Sequence, residues 1–144
     1  MTSAHHLRLI DGMRTRDFPT ERIWSGSGVS GPGYHTVSLH GDAGQGDDEA
    51  ARLDHRAQCL AEHDALLMLL TGRWGEPQWI SPWSAQQRMI AGEEIPEPWR
   101  EAVVRCEVLQ LWRIEDRWIA MGLCTEEEGP GCELCVLVTD VDPP

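Results

Sequence analysis

The stretch 47–72, DDEAARLDHRAQCLAEHDALLMLLTG, limits what this chain can fold into more than any other. Ala50, Leu53, Ala57, Leu60, Ala61, Leu67 and Met68 recur at steps of three and four, the spacing that aligns one face of an α-helix. Asp47, Asp48 and Glu49 stand at its start, where acids complement the positive helix end, and Gly72 offers a stop. Such a helix cannot bury its apolar stripe alone; it needs a layer to lie on.

The stripe predicts which face meets that layer. Asp64 falls in its middle, where a carboxylate must find a partner or change its ionisation. That makes Asp64 a candidate ligand-binding acid, set against the plainer reading that it emerges at a sheet edge or pairs with an Arg. The opposite face carries His55, Cys59 and His63 at successive i, i+4 steps, a spacing that brings soft metal ligands together. It also carries Arg52 and Arg56, as a solvated face does, and lacks the acid of an H-E-x-x-H helix, so metal is the weaker reading there. Residues 65–70 are apolar all round and are expected to be buried on every side or to cover an interface.

The layer comes from strands. In 34–40, His35, Val37 and Leu39 alternate with Tyr34, Thr36, Ser38 and His40. Between 103 and 141, the runs VVRCEVLQLWRI, RWIAMGLC and CELCVLVTDV read as an antiparallel meander, turning at Glu115 and Asp116 and again through 125–131. The middle run is apolar on both faces, Trp118 and Ala120 on one, Ile119, Met121 and Leu123 on the other, so a central strand covered twice is expected. Residues 73–99 hold four of the seven Trp, at 74, 79, 83 and 99, among Pro77, Pro82, Pro96 and Pro98. A short helix over 82–91, with Ser81 as cap and Gly92 as stop, and a second turn from Pro98 are predicted in that connection. Residues 1–33 are poorly patterned, with short strands suggested at 7–10 and 22–24 and a structureless SGSGVSGPG. The expected fold is a single α+β domain over 1–144: an irregular segment to 33, then one long helix packed on a mainly antiparallel sheet of four or five strands, ending in the meander.

Charge narrows the function. A net charge of -12 opposes nucleic acid, whose binding rests on neutralising phosphates, and opposes an anionic membrane surface. It would steer a cationic protein toward the chain. No apolar run is long enough to span a bilayer and no secretory block opens the chain, so a cytoplasmic protein is expected. Its five Cys are then expected as free, mostly buried thiols. Lys and Asn are absent and Phe and Tyr occur once each; these residues share A/T-rich codons, which points to a high-GC bacterial genome and removes functional meaning from the missing lysines.

Several motifs lack the setting their chemistry requires. Gly26, Gly28 and Gly31 spell G-x-G-x-x-G, but Pro32-Gly33 and a strand follow instead of a helix. The loop 41–46 lacks a Gly-Lys-Ser/Thr end, and the acids behind it would repel phosphate. Gly44 and Gly46 occupy positions where a calcium loop needs oxygen ligands. Cys132 and Cys135 form a C-x-x-C that opens a strand, where residues i and i+3 point to opposite faces. A zinc site from Cys124, Cys132, Cys135 and a helix His therefore needs a distorted turn, and a Cys124–Cys132 disulfide is at odds with a reducing compartment. Glu126, Glu127 and Glu128 read as a solvated loop. No nucleophile elbow or catalytic Cys signature occurs.

These features favour a non-catalytic protein-interaction module, accessory, regulatory or immunity-type, with no cofactor and another protein as partner, cationic by the charge argument; a homodimer is also compatible. The alternative is a small-molecule-binding or enzymatic domain with a pocket between the long helix and the sheet. In either case the candidate contact residues are Asp64, His63, Trp74, Trp79, Trp83 and Trp99. For the Trp residues the competing expectation is that they plug the end of a small core.

Overall fold

The computed structural model describes residues 2–25, 28–40, 49–125 and 132–144. Its elements are α1 (Thr2–Thr15), β1 (Ile23–Ser25), β2 (Gly28–Gly31), β3 (Tyr34–His40), α2 (Glu49–Trp74), β4 (Gln78–Ile80), α3 (Pro82–Ile90), α4 (Trp99–Arg105), β5 (Val108–Ile114), β6 (Arg117–Thr125) and β7 (Cys132–Thr139). The strands form one antiparallel sheet in the order β1-β2-β3-β7-β6-β5-β4. The fold is α+β, with the long helix and the C-terminal meander in place. The seven strands exceed the four or five expected: β1 overlaps the short strand suggested at 22–24, whereas β2 and β4 are three or four residues long, too short to show a period.

β6 is an inner strand, next to the central β7, and is covered on both faces. On one side Ile119, Met121 and Leu123 meet Leu66 and Leu70 of α2 and Ile10 and Met13 of α1. On the other side Trp118, Ala120 and Cys124 meet Trp99 and Val103 of α4 and Ala85 of α3. α3 begins as its sequence demands: the Ser81 hydroxyl accepts from the Ser84 N–H at 3.1 Å, and Pro82 follows at the first helical position. Gly92 takes φ 102° just past its end, a conformation glycine adopts without steric cost.

Three expectations are corrected. The N-terminal segment is not irregular: residues 7–10 lie within α1, whose buried His6, Ile10 and Met13 follow helical spacing. Arg117 on β6 closes that helix, donating to the carbonyls of Met13 at 2.8 Å and Arg16 at 2.7 Å. Residues 103–105 belong to α4 and not to the first meander strand, which begins at Val108. Finally, two of the cysteines are not free: Cys59 on α2 is bonded to Cys132 on β7, both buried, across 73 residues of sequence. Cys132 and Cys135 do point to opposite faces of β7, the first toward α2 and the second toward α4.

Gly28 and Gly31 of the G-x-G-x-x-G lie within β2, and Pro32 with Gly33 at φ 82° makes the tight turn into β3. Gly26, the glycine loop 41–46, the acidic helix start at Asp47 and Asp48, and Glu126, Glu127 and Glu128 lie outside the described residues.

Candidate functional site

Helix α2 lies on the sheet by the face opposite to the one its stripe predicted. Cys59, His63, Leu66 and Leu70 are buried against the strands, at steps of four, three and four. Leu53, Leu60 and Met68 face outward, with 63%, 38% and 77% of their surface exposed, and Ala57 and Ala61 between them are exposed too. The reason lies in specific partners rather than in apolar area, since the stripe itself holds three Leu and one Met: Cys59 is bonded to Cys132 on β7, and Leu66 and Leu70 fit the core beside it. Cys counts as polar in a periodicity but is among the most buried residue types.

His63 reaches the core because it has partners there. Its Nε2 is 3.3 Å from Gln110 Oε1 on β5, and its Nδ1 is 3.1 Å from Asp64 Oδ1. Asp64 is not held in an apolar stripe; its side chain is 78% exposed and pairs with the neighbouring imidazole, not with an Arg. Across the sheet from Gln110 stands Trp79 on the edge strand β4, itself 63% exposed. The register thus brings His63, Asp64 and Trp79 to one edge of the molecule. The other candidate Trp residues scatter. Trp99 is fully buried, and its indole N–H donates to the Val141 carbonyl at 2.7 Å. Trp74 is half-buried and meets Trp112 edge-on at 5.8 Å. Trp83 is 68% exposed on α3.

The metal reading of α2 loses a ligand, since the Cys59 sulfur is bonded to Cys132 and cannot serve as a thiolate. Among the described residues no group of three or more His, Cys, Asp or Glu has metal-holding geometry.

A cavity of about 200 Å³ opens on the face away from α2, between α4 and the sheet. It exists because β6 presents Ala120 and Gly122 there, residues too small to fill the space under the helix. Tyr34, Thr36, Leu109 and Leu137 form further walls, and Arg22, Glu97, Glu101 and Arg105 bring charge. Arg105 donates to Glu133 at 2.8 Å.

Cys106 and Cys135 line this cavity, and Cys124 lies against Cys106 with sulfurs 2.8 Å apart. Gly122 makes the cluster possible, since a Cβ there would stand 2.6 Å from the Cys106 sulfur. In the Cys106–Cys124 contact either sulfur can donate; when the charge lies on Cys124, the thiols of Cys106 and Cys135 donate to it, and Arg105 stands nearby. Together these hold its pKa below the usual thiol value. The two donors are pushed the other way, by the hydrogen bond that needs their protons and then by burial. The arrangement favours negative charge at Cys124 over the other two sulfurs. Sequence reading of the C-x-x-C missed it because Cys106 comes from a helix end far away in sequence, and only the meander register brings the three together.

No protein-family model, curated protein or solved structure matches the chain.

Proposed function

We propose that the chain is a non-catalytic protein-interaction module, whose contact surface is the outer face of α2 and whose partner is a cationic protein. One observation carries the reading: Leu53, Leu60, Met68 and Leu69 are exposed on a helix whose other face already fills the core. From residue 53 to 68 that face runs about 22 Å at 1.5 Å per residue. A large exposed apolar surface on one helix face marks an interaction site. Exposed Asp64 interrupts it between Leu60 and Met68, exposed Asp54 stands beside it, and the chain carries a net charge of -12. A second copy would bring like charges together, so a basic partner fits better. The alternative pocket between α2 and the sheet has less support, because core side chains occupy that layer.

No helix among the described residues is long and apolar enough to cross a membrane. We place the protein in the cytoplasm, where the three free thiols are at home and burial shields the Cys59–Cys132 bond from reductant.

A photo-crosslinking residue at Ala61, at the centre of the face, tests this in cells, with Gln87 on α3 as the control position. The expected result is a basic protein captured at 61 and not at 87. With that protein purified, Met68→Glu should weaken binding at least about tenfold, and added salt should weaken it further. Equal capture at both positions, capture only of a second copy, or an unchanged affinity of Met68→Glu would overturn the reading.

A further inference from the structure

The three clustered thiols have no role in binding through α2, which lies on the other face of the sheet. Their geometry favours bond formation. The Cys106 and Cys124 sulfurs are 2.8 Å apart, within about 0.8 Å of the roughly 2.05 Å disulfide length. Both are nearly buried, at 7% and 9% exposure, while Cys106 also lines the cavity. A small reagent can therefore reach one sulfur of the pair where a protein could not. Cys106 is also the residue that ends α4, so a bond there would fix the helix end to β6.

We propose that Cys106 and Cys124 are a reversible dithiol–disulfide pair, oxidised by a small peroxide that enters the cavity beside α4. The proton of the Cys106 thiol passes along its hydrogen bond to the Cys124 thiolate. The freed Cys106 thiolate attacks one peroxide oxygen, the O–O bond breaks, and Cys106 becomes a sulfenic acid. The hydroxide released takes the proton from Cys124 and leaves as water. The Cys124 thiolate then attacks the Cys106 sulfur, expelling hydroxide and closing the disulfide. In sum, one thiol and one thiolate lose two electrons and one proton, and one hydrogen peroxide becomes one water and one hydroxide. Cys135 takes no part in the exchange and stays reduced.

Thiol counting and peptide mapping on the purified full chain test the pair. The starting protein offers three alkylatable thiols, Cys106, Cys124 and Cys135. After hydrogen peroxide close to stoichiometric amounts, one thiol should remain, the mass should fall by about 2 Da, and mapping should link 106 to 124. Dithiothreitol should restore all three. Cys135→Ser should still form the bond, which keeps the test independent of how well a Cys106→Ser protein folds. Three thiols persisting after peroxide, a bond to Cys135 instead, or oxidation running to sulfonic acid with no bond would overturn the proposal. None of these results depends on whether α2 binds a partner.

Discussion

Replacing Gly122 by Ala probes the construction of the thiol site most directly. Its added Cβ would stand 2.6 Å from the Cys106 sulfur and 3.2 Å from Leu109 Cδ2, too close for either contact to persist. Forcing a methyl group against neighbours that must shift costs about 1–3 kcal/mol. Against this, Ala restricts the unfolded chain and returns about 0.4–1 kcal/mol where the native backbone suits it, as an extended strand does. The net expectation is a destabilisation of about 0.5–2 kcal/mol. Urea unfolding followed by Trp fluorescence measures it, since Trp99, Trp112 and Trp118 are all buried. The decisive comparison is Cys106→Ala/Gly122→Ala. Removing the sulfur removes the clash, so the double variant should be more stable than the two single changes added together, by about 1 kcal/mol. If the two changes are additive within about 0.5 kcal/mol, Gly122 is not what accommodates Cys106, and the packing account of the cluster fails.

Two further outcomes are expected. His35 is buried, with Nε2 on the Arg16 carbonyl at 3.2 Å and Nδ1 on the Ser30 hydroxyl at 2.6 Å, and burial lowers its pKa from 6.5. Below pH about 6.5 the unfolded chain therefore takes up a proton that the folded chain refuses, so stability present above that pH is lost progressively until the folded pKa is passed. Urea titrations from pH 8 to 5 should show this fall, and His35→Gln should flatten it; an unchanged slope in the variant would assign the effect elsewhere. Among the Trp residues, Trp99→Ala should cost about 3–5 kcal/mol and Trp83→Ala less than about 0.5 kcal/mol. Similar losses for both would contradict the division of that segment into core plug and exposed surface.

That division also shows how far the sequence reached. The long helix, the strand at 34–40, the meander, and the capped helix from Pro82 were all legible, because each is written in a local pattern of period, cap or turn. So was the double cover of β6, because a run apolar on both faces has no place at a solvated surface. α1 was not, because only His6, Ile10 and Met13 mark its buried side, and two of those three come after a misleading Leu-Arg-Leu.

The sequence by itself determined that α2 exists and that it must lie on a sheet. Only the tertiary structure decided which way it is turned. A stripe of three Ala, three Leu and one Met competed with Leu66 and Leu70, and the bond from Cys59 to Cys132 and the Gln110 partner of His63 settled the outcome. The same rotation carried Asp64 and Met68 out to solvent. The thiol cluster was likewise invisible along the chain, since Cys106, Cys124 and Cys135 meet through strand register and through the missing side chain of Gly122. Local patterns fix which elements form; which faces meet depends on partners distant in sequence, and no local pattern contains them.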